Sequence, residues 1–367
     1  MHRSKSALKI SIFGLSLALS TSAAFAQERK VNIFNWSDYI DESILSDFTA
    51  ETGIEVTYDV FDSNEVLETK LLAGGSGYDV VVPTGTFLER QIQAGVFQEL
   101  DRTKLPNLTN MWTDIEERVA QYDQGNAYSI NYMWGTTGIG YNVEKIAERM
   151  PDAPLDSWRM IFDPEIVSKF QDCGIHLLDA PTELVPAALN YLGLEPDSKD
   201  ADLLAQAEEL LQGIRPYVQK FHSSEYINGL ANGDICIAVG WSGDVLQARD
   251  RAAEADNGVS VAYTIPKEGA LMWFDQMAIP ADAKNVEEAH EFLNYMMRPE
   301  VIAKASNYVY YANGNHASKP LLLEDVFTDP AIYPSAETIA KLFTVTAAAP
   351  RQQRLLTRTW TKVKTGQ

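Results

Sequence analysis

Short apolar strands alternate with amphipathic helices from Val31 onward, and this order constrains the fold more than any other feature of the sequence. Strands are predicted at 31–36, 54–61 and 78–82, and helices after Asp41, at 66–73 and around 87–92, with glycines at the end of each helix. Strands that are connected through helices pair mainly in parallel, and the helices cover both faces of the sheet. The sequence therefore predicts an α/β protein.

A second set of alternating elements follows after about residue 133. Strands are predicted at 175–178, 235–239, 258–265 and 271–279, and helices at 186–192, 203–214 and 285–297. Pro299 is predicted to end the last of these helices, and the tail after Pro334 to be mostly helical. No internal repeat and no Pro/Ser-rich linker divides the chain. This organisation predicts two lobes that are connected by more than one crossing of the chain.

The first 26 residues have the pattern of a secretory signal peptide. A basic start precedes a mostly apolar run at 10–19, and an Ala-x-Ala motif ends at Ala26, after which cleavage is predicted. The apolar run is too short to span a membrane, and no later stretch is long enough. No cysteine follows the cut to carry a lipid anchor. We therefore expect an exported protein that begins at Gln27.

The exported chain is strongly acidic. Loss of the signal peptide removes three positive charges and no negative ones, which lowers the formal net charge from −21 to −24. Such a chain binds nucleic acids and anionic membranes poorly but attracts polycations. Because many exported proteins are acidic for solubility alone, charge does not identify a ligand.

The chain has two cysteines, Cys173 and Cys236. In an oxidising compartment two cysteines usually form a disulfide, which would stabilise this fold by about 4 kcal/mol through loop closure. The alternative is a pair of buried free thiols. Either arrangement is structural, because no C-x-x-C motif or histidine cluster accompanies them.

Three short stretches place a tryptophan close to an aspartate: 35–39, 241–244 and 273–275. A carboxylate attracts an ammonium group by charge, and an indole face attracts it through the ring quadrupole while covering an alkyl chain. Most of these residues, with Thr84 and Glu183, follow predicted strands at the sheet edge where open α/β proteins bind ligands. The pattern indicates a site for an organic cation between two lobes.

Each of these residues also has a structural interpretation. Tryptophans fill protein cores, and Asp244 and Glu183 are placed to cap helices. Asp38 either caps the helix after Tyr39 or contacts the ligand through water. Asp275 lies inside an apolar strand, where a carboxylate needs a cationic partner or several hydrogen-bond donors.

Two other functional classes remain open at this point. An exported glycosidase also combines paired acids with aromatic platforms, although no matched acid and nucleophile can be identified. A metal-binding receptor would need a cluster of ligands, but the histidines after residue 26 are scattered singly. The G-x-S-x-G, Walker A and H-E-x-x-H motifs are missing, and no cofactor is expected.

Nearly end to end, the chain resembles the periplasmic polyamine-binding proteins of ABC importers, especially their putrescine-binding branch. The matching stretches are 31–39, 78–83, 232–236, 241–244 and 279–285. The resemblance implies a two-lobed periplasmic-binding-protein fold of type II-like architecture, with a mainly parallel sheet in each lobe and the ligand in the cleft between them. It also implies a bridge between Cys173 and Cys236, a monomer in the periplasm, and delivery of the ligand to an inner-membrane ABC permease.

The same resemblance implies the lobe boundaries and the ligand contacts. Lobe 1 would contain 27–132 and 258–312, and lobe 2 would contain 133–257 and 313–367. Trp36, Ser37, Tyr39, Thr84, Trp273 and Asp275 would come from one lobe and Glu183, Trp241 and Asp244 from the other, with Ser223 and Tyr311 as additional contacts.

The identity of the polyamine rests on a few positions. Spermidine-preferring relatives tend to carry tryptophan at the position of Trp273, whereas Ser37 and Asp244 are similar to the putrescine branch. On balance the resemblance favours spermidine over putrescine. A polyamine sensor built on the same scaffold remains an alternative.

Overall fold

A computed structural model describes residues 29–366, and the predicted signal peptide at 1–26 lies outside them. The strands are β1 Lys30–Trp36, β2 Glu55–Phe61, β3 Val80–Val81, β4 Ser129–Asn142, β5 Ile175–Leu177, β6 Lys220–Phe221, β7 Ile237–Trp241, β8 Val261–Thr264, β9 Met272–Ala278 and β10 Ala312–Asn313. The helices are α1 Glu42–Thr52, α2 Asn64–Leu72, α3 Gly85–Gln93, α4 Thr113–Val119, α5 Val143–Arg149, α6 Arg159–Phe162, α7 Pro164–Val167, α8 Pro181–Tyr191, α9 Ala201–Ile214, α10 Tyr226–Ala231, α11 Ser242–Ala255, α12 Val286–Met296, α13 Pro299–Val309, α14 Glu324–Phe327, α15 Ala336–Ile339 and α16 Pro350–Thr365.

The strands form one continuous mixed sheet with the order β2-β1-β3-β9-β4-β7-β5-β6. The outer parts are parallel, as the alternation of strands and helices predicts: β1 pairs with β2 and β3, and β5 pairs with β6 and β7. The strands around β4 are antiparallel, and β8 and β10 also pair with β4. Two parallel halves are thus joined through an antiparallel centre.

Strand β4 connects the two halves of the sheet, and the sequence analysis did not predict it. Residues 129–136 pair with β9, and residues 137–142 pair with β7 and β8. Its burial is nearly continuous, so it lacks the alternation that marks a half-exposed strand. A single extended segment therefore crosses from one half to the other.

Each half of the sheet has its own hydrophobic core, which divides the protein into two lobes. One core contains Phe48, Val82 and Phe292, and the other contains Trp158 and Leu211, all of them buried. A smaller cluster lies near the antiparallel centre. This architecture is the two-lobed α/β fold that the sequence predicts.

Two local predictions can be compared with the structure directly. Cys173 and Cys236 form a disulfide, with their Cα atoms 5.5 Å apart. Helix α12 ends before Pro299 as predicted, but the same proline also begins α13. Proline has a fixed φ that suits the first helical position, where its missing N–H is not needed.

Within residues 29–366, no helix has the length and apolar character needed to cross a membrane. In the same part of the chain, no group of three or more His, Cys, Asp or Glu side chains is arranged to hold a metal ion.

Candidate functional site

Eleven of the twelve ligand contacts predicted from the sequence line one cavity between the lobes. The empty space at this site, including open solvent, is about 430 Å³. It is lined by Trp36, Ser37, Tyr39, Asp62, Thr84, Glu183, Ser223, Trp241, Asp244, Trp273, Asp275 and Tyr311. These residues come largely from the carboxyl ends of parallel strands and from β9 at the centre. None of the lining residues is a lysine, an arginine or a histidine.

Asp275 lies on β9 and is only 4% exposed. Its carboxylate accepts hydrogen bonds from the Tyr39 hydroxyl at 2.8 Å and from Oγ1 of Thr84 at 2.6 Å. Burial raises the pKa of Asp275 to about 7, and the hydrogen bonds from Thr84 and Tyr39 offset only part of this rise. Hydroxyl donors alone therefore do not compensate this carboxylate for its lost hydration.

Asn64 directs the hydroxyl of Thr84 toward Asp275. The Asn64 side chain donates from Nδ2 to Oγ1 of Thr84 at 2.9 Å and accepts from the backbone N–H of Thr84 at 3.1 Å. Because Oγ1 already accepts a proton from Asn64, its own proton points to the carboxylate. Asn64 thus fixes the position of a ligand-facing group without lining the cavity itself.

Asp244 lies in the first turn of α11 and is also buried. The hydroxyls of Tyr226 and Tyr311 each donate to its carboxylate at 2.7 Å. Burial raises the pKa of Asp244 to about 6, although the hydrogen bonds from Tyr311 and Tyr226 act in the opposite direction. The nearby charge of Asp38 adds to the rise, and that of Arg251 opposes it. The two tyrosines hold the carboxylate in one orientation in the cavity wall.

Glu183 lies in the first turn of α8, on the lobe that carries Asp244. The hydroxyl of Thr137 donates to Oε2 of Glu183. Burial raises the pKa of Glu183 to about 7, while hydrogen bonds from Thr137 and Trp241 act in the opposite direction. Three buried carboxylates thus line a cavity that contains no cationic side chain.

Aromatic rings form the apolar walls between these carboxylates. The rings of Trp36 and Trp241 approach edge to face from opposite lobes, with centroids 5.4 Å apart. Trp273 and Tyr311 make a similar contact at 5.3 Å. Nε1 of Trp36 donates to the backbone oxygen of Val82 at 2.9 Å, which fixes the indole plane. The walls are suited to methylene groups, and the carboxylates to the charged ends of the same molecule.

Asp38 is the predicted contact that does not line the cavity. Its carboxylate forms an ion pair with Arg251 at 2.6 Å, and the two side chains remain 40% and 35% exposed. It does not cap α1 either, because Asp41 accepts the hydrogen bond from Ser43 N at the start of that helix. Asp38 therefore links the strand-end loop after β1 to α11 of the other lobe.

Four residues of the site were not predicted from the sequence. Asp62 lines the cavity and directly follows β2, so the strand-end signal that pointed to Trp36 applies to it as well. Asn64, Thr137 and Tyr226 support the carboxylates from behind. Their roles depend on packing between distant segments, which no local pattern records.

The fold and the cavity define a two-lobed solute-binding protein. The chain belongs to the bacterial extracellular solute-binding protein family, whose model matches residues 43–334.

Two relatives cover almost the whole chain. PotF, a putrescine-binding periplasmic protein of Escherichia coli strain K12, is 52% identical over 97% of this chain and 96% of its own length. SpuD of Pseudomonas aeruginosa strain UCBPP-PA14, also named a putrescine-binding periplasmic protein, is 52% identical over 97% of this chain and 98% of its own.

A solved structure gives the same picture of the fold. The spermidine/putrescine ABC transporter substrate-binding protein PotD from Streptococcus pneumoniae has a TM-score of 0.74 at 30% identity, covering 92% of this chain and 99% of that one. The names of these relatives are those of transport proteins, so they do not favour the hydrolase alternative.

Proposed function

We propose that this chain is the periplasmic substrate-binding component of an ABC importer for polyamines. It binds its ligand without chemical change and delivers it to an inner-membrane permease. The 52% identity to two putrescine-binding periplasmic proteins supports the ligand class and the compartment. We also propose that the protein acts as a monomer, because one chain supplies every contact of the cavity.

One observation carries the assignment of the ligand: the cavity has buried carboxylates and lacks positive charge. Asp275, Asp244 and Glu183 are each at most 7% exposed, and their hydrogen-bond donors are neutral. Buried carboxylates are costly unless they are paired. The ammonium groups of a polyamine supply the missing charges, and Trp36 and Trp241 cover the methylenes between them.

The binding step is a closure of the two lobes around the ligand. We propose lobe boundaries at 27–132 with 258–312 for lobe 1 and 133–257 with 313–367 for lobe 2. Contacts to both lobes exist together only in the closed form, so a ligand that makes them shifts the equilibrium toward closure. The closed form is then the one that the permease recognises.

The preferred polyamine is a separate question from the ligand class. Trp273 favours spermidine in the sequence analysis, whereas the names of the two relatives at 52% identity favour putrescine. The proposed site accepts both, because their charged ends and methylenes are of the same kinds. The order of preference stays a prediction.

The test is isothermal titration of residues 27–367 with putrescine, cadaverine, spermidine and spermine, after unfolding and refolding to remove carried-over ligand. We expect binding of one polyamine per chain with micromolar or tighter affinity. The order of the four affinities decides between putrescine and spermidine. The absence of binding for all four would refute the proposed function.

A further inference from the structure

A second cavity adjoins the central one and opens toward the surface. Its empty space, including open solvent, is about 930 Å³, and it shares Asp62 and Ser223 with the central cavity. We call it the outer cavity; its lining is completed by Ser63, Glu65, Asp179, Pro181, Phe221, His222, Gln353, Thr357, Trp360, Thr361 and Lys364. The shared residues show that the two cavities adjoin, so a ligand longer than the central cavity has space to extend into the outer one.

Asp62 stands where the two cavities meet, and its carboxylate has no partner. Among residues 29–366, no hydrogen bond and no ion pair involves its side chain, although the residue is partly buried. It follows β2 and precedes α2, so short chain segments on both sides hold it at the rim. This position places an unpaired carboxylate in the lining that the two cavities share.

The basic side chains that line the outer cavity interact with other acidic residues and do not pair with Asp62. Asp179 is neutralised, because Nζ of Lys364 lies 2.8 Å from its carboxylate and Nε1 of Trp360 donates to it at 2.7 Å. His222 pairs with Glu225 at 3.3 Å and also accepts backbone hydrogen bonds at Nδ1. The outer cavity thus has no free cation beside Asp62.

Two further features of the outer cavity fit the remaining parts of a polyamine. The rings of Phe221 and Trp360 meet edge to face at 5.3 Å and give one wall an apolar surface. Glu65 is a second acid in the lining of the outer cavity, and loss of solvent on burial raises the pKa of its carboxyl. An alkyl arm can lie along the rings while its nitrogen faces the acids.

We propose that the outer cavity binds the aminopropyl arm of a triamine or tetraamine, and that Asp62 pairs with the ammonium group at the junction. This inference rests on the proposed function, since the rest of the ligand occupies the central cavity. In this proposal Asp62 is a specificity-determining residue, because a diamine such as putrescine lies wholly among the buried carboxylates of the central cavity and has no third nitrogen to place at the junction. The geometry accounts for binding of polyamines of different lengths at one site.

The test compares Asp62→Asn with the wild type in titrations of putrescine, cadaverine, spermidine and spermine. We expect roughly a tenfold loss of affinity for spermidine and spermine, as for one charge-assisted hydrogen bond, and less than about a twofold change for the two diamines. Asp152→Asn is the matched control, because Asp152 is exposed and lines neither cavity, and its substitution removes the same charge. The control should leave all four affinities unchanged.

A second variant tests the cavity independently of the charge. Thr357 is exposed on α16 and lines the outer cavity, so Thr357→Trp fills that space without touching the central site. This variant should also weaken the binding of spermidine and spermine selectively. Equal losses for all four ligands in both variants, or no loss in either, would overturn the inference while leaving the proposed function intact. A wild-type protein that binds none of the four would refute both.

Discussion

The carboxylates of Asp275 and Asp244 lie on opposite lobes and have similar partners, yet their electrostatic surroundings differ. Each accepts two hydrogen bonds from hydroxyl groups at 2.6–2.8 Å. Burial raises the pKa of Asp275 to about 7, but that of Asp244 only to about 6. Asp244 lies at the start of a helix, near the opposite charges of Asp38 and Arg251, whereas Asp275 lies in the middle of a strand.

The difference shows what compensates a buried carboxylate. Two neutral hydroxyl donors are present at both positions, so they do not explain why the two pKa values differ. The charges of Asp38 and Arg251 do not explain the difference either, because they act on the pKa of Asp244 in opposite directions. The position of Asp244 in the first turn of α11 does, because the helix dipole favours a negative charge there. We therefore expect Asp275 to depend more on the ammonium group of the proposed ligand than Asp244 does.

The largest expected effect is that of Asp275→Asn. The variant should lose about 2–4 kcal/mol of polyamine binding free energy, since it removes one member of a buried charge pair. Titration with putrescine measures the loss, and Asp152→Asn serves as the control for net charge. An unchanged affinity would mean that the carboxylate has only a structural role.

The pH dependence is the next largest effect. The usual pKa of an aspartate or glutamate is about 4, whereas burial raises the pKa of Asp275 and Glu183 to about 7 and that of Asp244 to about 6. The ligand binds the ionised carboxylates, so the affinity should rise from pH 5 to pH 8, by up to about tenfold per pH unit for each carboxylate.

The stability of the ligand-free protein should change in the opposite direction. Between these pKa values the folded state holds protons that the unfolded chain has released, so the contribution of the three carboxyls to stability falls as the pH rises. Thermal unfolding at pH 5 and pH 8, with and without putrescine, tests both signs. A ligand-induced stabilisation that does not grow with pH would contradict this account.

Asp244→Asn should have a smaller effect than Asp275→Asn. We expect a loss of about 2 kcal/mol, because the carboxylate at the helix start is already partly compensated. The same putrescine titration ranks the two variants. The reverse order of the two losses would refute the comparison.

The smallest expected effect comes from Arg251→Ala. Its ion pair with Asp38 joins the two lobes but is partly exposed, so its loss should lower the free energy of unfolding by less than about 1 kcal/mol. The substitution should also raise the pKa of Asp244, because the charge of Arg251 lowers it. The rise of polyamine affinity with pH should then shift to higher pH. A profile identical to that of the wild type would show that Arg251 does not act on Asp244.

The sequence predicted most of the central cavity because its signals are local. Trp36 and Trp241 end their strands and Thr84 comes shortly after one, at the edge where the lobes meet, and Asp275 interrupts an apolar run. These features can be recognised in stretches of a few residues. The disulfide was also predictable, from the number of cysteines and the compartment.

The sequence did not predict what depends on contacts between distant segments. Strand β4 is almost fully buried and lacks an alternating pattern, so it was missed. Tyr226 reaches Asp244 from a neighbouring helix, and nothing in its own stretch marks it as part of the site. At Asp38 the local pattern suggested a helix cap or a ligand contact through water, and the structure shows an ion pair with Arg251 of the other lobe, which no local pattern records.

A crystal structure of the protein with a bound polyamine would test the central claim most directly. The account predicts one ammonium group within about 3 Å of the Asp275 carboxylate and the other end of the ligand at Asp244 or Glu183, with Trp36 and Trp241 against the methylenes. A polyamine bound outside this cavity, or one whose nitrogens do not contact Asp275, would contradict it.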